Sequence, residues 1–288
     1  MPHECTCYAA STIFIKAFKH CFLLGFHAEN PNSMRYYHHS PTVSFGGGSI
    51  PRGVKYLLIA NTIIFIIYFL SVQIRITPLL LFFHGLSLIP SWVVKGAVIW
   101  QPVTYLFLHS PLGFSHILFN MLSLWWFGSD LERDWGMKRF LNYYFFCGIG
   151  AGLCDVAVRL LLGNARDLIT PTIGASGAIY GLLLAFGILY PNRTILLYFL
   201  FPIPARIFVL ILGGIAFLST FGAAGSGISH MAHLGGMIFG FYYLTFRPRL
   251  LDIDLMGRLK SWQLRRARHR FEVYMRKKDQ DGPDDWVN

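Results

Sequence analysis

Stretches without charge organise this chain. Tyr56 to Ile74 runs unbroken between Lys55 and Arg75, and about 20 apolar residues suffice to cross a bilayer as a helix. Further charge-free runs cover Gly96 to Ser129, Leu168 to Asn192 and Ile207 to Phe246. The last, 40 residues long, is enough for two spans joined by the turn-rich Gly222 to Gly227. Six spans are predicted, at about residues 56–74, 114–128, 140–162, 175–190, 207–221 and 226–246. Ile76 to Val94 is also free of charge. Pro78 and Pro90 bracket it, however, and His84 and Gly85 interrupt it, so it is expected to be a membrane-surface or half-inserted loop. The expected fold class is an all-α membrane protein.

Composition strengthens this picture. Of the 288 residues, 54% are hydrophobic and only 14% charged, with a mean hydropathy of +0.48; that excludes an ordinary soluble domain. The net charge of +11 is concentrated, since Arg247 to Lys278 holds 11 of the Lys and Arg residues directly after the last apolar run. Beside a membrane span, the excess of Lys and Arg on cytoplasmic segments accounts for such a tail without a nucleic-acid partner. Counting back from a cytoplasmic C-terminus, spans two, four and six each start on the outer side. Arg133, Lys138, Arg139, Arg193 and Arg206 then all fall in inner loops. Residues 50–249 form the expected membrane domain and 250–288 a basic cytoplasmic tail. Residues 1–49 are expected to be a cytoplasmic segment. They are either disordered, or carry a poor signal-like or amphipathic segment over Ile13 to Phe26, or are extra sequence ahead of a start at Met34. With no organelle signal recognised, a bacterial plasma membrane is the expected location. Five cysteines (Cys5, Cys7, Cys21, Cys147, Cys154) compose neither a disulfide framework nor a metal site, and no cofactor is expected.

The outward-starting spans carry polar residues near their beginnings: His116 and Asn120 on span two, Ser176 on span four, His230 and His233 on span six. Ionisable groups inside membrane helices are costly and mark function by default. Gly177 and Gly181 form a GxxxG pair on span four, and Gly236 and Gly240 another on span six; small residues at that spacing bring helix backbones together. A serine and an imidazole within hydrogen-bond reach are the minimum for an activated nucleophile. His116 and Asn120, four residues apart, share a helix face, and beside Ser176 they could stabilise an oxyanion together with the Ser176 N–H. Each feature also has a plain reading. Small-residue pairs are common packing, a lone serine usually bonds a helix carbonyl, and Asp155 with Arg159 is a self-neutralising i,i+4 pair. The three polar sites at one level are what favour catalysis.

His116-Ile117-Leu118-Phe119-Asn120, Gly174-Ala175-Ser176-Gly177 and Ala232-His233-Leu234-Gly235-Gly236 with Gly240 resemble the rhomboid intramembrane serine proteases. The similarity covers about Tyr56 to Arg247. It implies a bundle of six transmembrane helices with a membrane-embedded first loop, and a Ser–His dyad with no acidic third member. Ser176 would be the nucleophile and His233 the general base, with His116 and Asn120 stabilising the oxyanion. Tyr180 matches a tyrosine that packs on the catalytic histidine, and Gly174, Gly236 and Gly240 are supporting positions. Glu132-Arg133 with Gly136 is similar to a motif at the inner end of the second span. Trp100-Gln101 stands where the family carries Trp-Arg, a departure that bears on how the first loop is anchored. The implied function is cleavage of peptide bonds in or near transmembrane segments of membrane-protein substrates. The alternative is a non-catalytic rhomboid-like protein that binds transmembrane clients; such proteins lack the serine or the histidine, and this chain has both.

Overall fold

A computed structural model describes residues 49–96, 98–197, 201–221 and 230–246. One compact unit ends at Thr245. The expectations for residues 1–48, the Gly222–Gly227 turn and the basic tail lie outside the described residues.

Helix α1 (Arg52–Gln73) follows Pro51 and covers the first predicted span. The segment expected not to be a clean span breaks into two short helices, α2 (Thr77–Leu86) and α3 (Pro90–Val94), each with proline in its first turn. A single turn, α4 (Gln101–Thr104), runs into a 3-10 turn at Tyr105–Phe107. Then come α5 (Phe114–Trp135), α6 (Met137–Leu162), the short α7 (Ala165–Ile169), α8 (Ser176–Leu189), α9 (Ala205–Phe221) and α10 (His230–Phe246). Each of the six predicted runs therefore coincides with a helix. By length and composition, α1 and α6 are long and apolar enough to cross a membrane, whereas α2, α8 and Ala205–Ser219 are shorter apolar helices.

Two expectations need correction. Strands β1 (Thr194–Leu197) and β2 (Phe201–Pro204) pair antiparallel between α8 and α9, so the described fold is mostly helical rather than all-α. Pro191-Asn192 stops α8, β-branched Thr194 and Ile195 suit a strand, and Pro202 and Pro204 lack the N–H a longer sheet would need. Span two was expected to end near Gly128, but α5 continues through Asp130-Leu131-Glu132-Arg133-Asp134. Its charges are satisfied where they stand. Asp130 pairs with Arg133 at 2.9 Å and Arg193 at 2.8 Å, and Asp134 accepts from the Tyr190 hydroxyl. Glu132 is buried and accepts the N–H groups of Gly53 and Val54, each at 2.7 Å. Those donors open α1, where a helix has no carbonyls of its own to offer and a negative charge is favoured.

Helix α8 is the most enclosed. Gly177, Ala178, Ile179 and all residues from Gly181 to Gly187 are buried, as suits a helix apolar all round. Helix α6 packs along one side of it, with the Ala151 methyl against Gly177 and Cys147 against Gly181. The outer helices instead expose Ile59, Ile63, Ile66 and Leu70 on α1 and Ile211, Ile215 and Leu218 on α9. Gln101 replaces the expected arginine without leaving the first loop loose. Fully buried, its Oε1 accepts from the Ile89 N–H (3.0 Å) and its Nε2 donates to the Gly85 carbonyl (3.1 Å). Trp100 Nε1 donates to that same carbonyl, and Thr104 Oγ1 donates to the carbonyl of Leu86.

Candidate active site

The site begins with the turn into α8. Gly174 has φ +129°, a conformation that side chains disfavour, and its N–H donates to the Tyr105 carbonyl at 2.9 Å. A Cβ there would lie 2.9 Å from His116 Nε2 and 3.7 Å from Ser176 Oγ. Glycine thus serves two ends: it permits the turn and it leaves open the space between those two polar atoms. Ser176 is the first residue of α8, and the first bond closing that turn runs from the Ile179 N–H to the Ala175 carbonyl. The N–H groups of Ser176 and its two successors accordingly have no acceptor within the helix and form its positive end.

Helix α10 brings the histidine. His233 Nε2 lies 2.8 Å from Ser176 Oγ, although 57 residues separate them in sequence. The Tyr180 ring lies on the His233 ring at 4.3 Å between centroids and 4° between planes, so the imidazole is held flat. Glycines make the approach possible. A Cβ on Gly236 would overlap the Gly177 carbonyl; one on Gly181 would meet the Gly236 carbonyl at 3.1 Å, and one on Gly240 the Gly181 Cα at 3.3 Å. The two small-residue pairs are therefore the contact between α8 and α10, with the Ser–His pair at one end of it.

His116 and Asn120 share the inward face of α5. His116 Nδ1 accepts a long 3.4 Å hydrogen bond from the Ser110 N–H, which assigns the proton of the neutral ring to Nε2, the nitrogen beside Gly174. Asn120 Nδ2 donates to the His116 carbonyl at 2.8 Å. An amide nitrogen carries two hydrogens, so this bond leaves one for the pocket. His230 is set back, with its ring 6.1 Å from that of His233. Asp155 bonds Arg159 and Thr172, in keeping with an ion pair rather than a third member of a triad.

Sequence reasoning passed over His109. It is fully buried with its ring 5.1 Å from that of His116, and among the described residues neither of its nitrogens has a hydrogen-bond partner. Burial, and next the neighbouring His116, push its imidazole down to about 3. The available signal was a second histidine seven residues before His116 in a stretch without charge. No group of three or more potential metal ligands occurs among the described residues.

With that geometry in place, the comparisons are decisive about kinship. The Rhomboid domain model matches residues 96–249, more than half of the chain. The chain belongs to the rhomboid family. It is 33% identical over 153 residues to Rhomboid protein 1, mitochondrial, of Saccharomyces cerevisiae, a match covering 51% of this chain and 42% of that protein. It is 35% identical over 143 residues to Rhomboid protease GluP of Bacillus subtilis (50% of this chain, 25% of that one). Identity to RHOMBOID-like protein 12, mitochondrial, of Arabidopsis thaliana is 31% over 144 residues (46% and 42%). The matches span less than half the length of each of these relatives. Two of the three are mitochondrial by name, so the expected bacterial plasma membrane finds no support. This rhomboid is a membrane protein whose described part is mainly helical.

Proposed function

We propose that this rhomboid is an intramembrane serine endopeptidase that cleaves peptide bonds in or near transmembrane segments of membrane-protein substrates. The observation that carries the reading is the 2.8 Å contact between His233 Nε2 and Ser176 Oγ. In the resting pair the serine hydroxyl donates to Nε2. His233 takes that proton as Oγ bonds to the substrate carbonyl carbon, and the carbonyl oxygen becomes an oxyanion. His116 Nε2–H, the second Asn120 hydrogen and the N–H groups opening α8 are the donors available to it, and each such donor typically lowers a barrier by about 2.7–4 kcal/mol. The imidazolium then gives its proton to the departing amide nitrogen, leaving an acyl-serine. Water, deprotonated by His233, attacks the ester, and the proton returns to Oγ. Tyr180 keeps the imidazole in one orientation throughout.

The reading includes six spans, formed by α1, α5, α6, α8, α9 and α10, lying in the bilayer with the site opening to the outer side. Substrate must present an extended backbone to Ser176, so small or helix-breaking residues near the cut are expected. The test is cleavage of a model transmembrane substrate in liposomes by wild type and Ser176→Ala. Cleavage by the wild type that falls to background in the variant, with unchanged thermal unfolding, is expected. Persistent cleavage by Ser176→Ala refutes the dyad; binding without cleavage by the wild type supports a client-binding role instead.

A further inference from the structure

We infer that Asp155, Arg159 and Thr172 form a clamp that positions Ser176 for attack, acting through the short segment that leads into α8. The inference rests on the proposed Ser–His chemistry. It concerns residues that touch no reacting atom and are positioning residues.

The clamp is a closed set of hydrogen bonds at the end of α6. Arg159 Nε donates to Asp155 Oδ1 (3.1 Å) and Arg159 Nη2 to Thr172 Oγ1 (2.9 Å). Thr172 Oγ1 in turn donates to Asp155 Oδ2 (2.7 Å). The remaining guanidinium nitrogen, Nη1, donates to the carbonyls of Asp167 (3.2 Å) and Thr170 (3.1 Å). Both carboxylate oxygens and all three guanidinium nitrogens are therefore used. One side chain of α6 reaches three points of the segment between α6 and α8.

Thr172 is where the clamp meets the main chain of the site. Its N–H donates to the Leu88 carbonyl at 2.8 Å, and its own carbonyl accepts from the Leu88 N–H at 3.0 Å. Leu88 precedes Ile89, whose N–H Gln101 holds. Thr172 is thus fixed by its side chain to α6 and by its backbone to the first loop. Only Ile173, Gly174 and Ala175 separate it from Ser176. Of these, Gly174 has the greatest backbone freedom; its N–H is held by the Tyr105 carbonyl, and Thr172, two residues earlier, fixes the start of the lead-in. A neutralising role alone would need the Asp155–Arg159 contact and nothing more. Linking both charged groups to the Thr172 hydroxyl places the ion pair in the service of the nucleophile's approach.

The experiment uses the full chain in liposomes. Thr172→Val keeps the shape while removing the hydroxyl, and Thr172→Ser keeps the hydroxyl. The readouts are kcat and KM on a model transmembrane substrate, the rate of Ser176 labelling by a fluorophosphonate, and thermal unfolding. In Thr172→Val, kcat and the labelling rate are expected to fall about tenfold to hundredfold, the scale of a misplaced reacting group, with KM changed less than about twofold. Thr172→Ser is expected to restore both rates. Arg159→Lys, which keeps the charge but cannot serve all four acceptors, should show the same split and decides the matter if Thr172→Val does not fold. Wild-type rates in a folded Thr172→Val, or Thr172→Ser as slow as Thr172→Val, overturn the clamp and leave the dyad standing. A wild type that neither labels nor cleaves overturns the dyad and the clamp with it.

Discussion

Replacing Gly236 by alanine tests whether the contact between α8 and α10 sets the catalytic distance. A Cβ at that position lies 2.8 Å from the Gly177 carbonyl carbon and 3.3 Å from its Cα, with the carbonyl oxygen nearer still. Carbon pairs sit comfortably at about 3.5–4.0 Å, so the backbones must part by about 1 Å. Gly177 and Gly235 both lie against Ala151 of α6, so neither helix parts freely. Any shift of α10 carries His233, three residues before Gly236, with it. A 2.8 Å bond stretched by that amount exceeds hydrogen-bond reach. A displacement of this size costs about two orders of magnitude in rate, alongside about 1–3 kcal/mol of overpacking. The assay is the second-order rate of fluorophosphonate labelling at a temperature where both proteins remain folded. Gly214→Ala on α9 is the control, since a Cβ there meets nothing within 4 Å. A Gly236→Ala protein that stays folded and labels within about threefold of the wild type would refute the argument that close backbone approach sets the dyad.

Glu132→Ala strips the acceptor from two buried N–H groups that open α1. Each loss is worth about 1–3 kcal/mol, so unfolding should ease by about 2–6 kcal/mol, read by thermal or detergent denaturation; a change below about 1 kcal/mol removes Glu132 as the anchor of α1. His109 predicts a pH dependence. Its folded value of about 3 lies below the ordinary histidine value of 6.5, so the unfolded chain binds the extra proton between them. Its neutral burial is fully tolerated above about pH 6.5, and stability declines as pH falls toward 3, by about 1.4 kcal/mol per pH unit from this group. His109→Gln should remove that slope in pH-dependent unfolding; an unchanged slope assigns it to other groups.

Ser176 and His233 show where sequence reading ends. Charge-free runs located the six long helical segments among the described residues because hydropathy is a property of consecutive residues. GxxxG spacing and the expected orientation of the spans suggested one level for Ser176 and His233. The continuation of α5 through Asp130 to Asp134 was not legible, because those charges are tolerated only through Arg193, Tyr190 and the start of α1, all distant in sequence. The sequence shows Gln101 only as a missing arginine, whereas its amide anchors the first loop through Ile89 and Gly85. The β1–β2 pairing was hidden for the same reason, since it joins two separate segments rather than following one run.

Composition and the placement of charge by themselves pointed to a helical membrane protein, and three motifs that resemble the rhomboid family marked Ser176 and His233. Tertiary structure alone decided the 2.8 Å separation of Ser176 and His233, the flat stacking of Tyr180, the engagement of Asn120 by the His116 carbonyl and the closing of Asp155, Arg159 and Thr172 around the lead-in. The physical reason is one of range. Hydrophobic burial depends on residue type and works over whole helices, whereas a hydrogen bond is lost within a few tenths of an ångström and depends on how packed backbones finally meet.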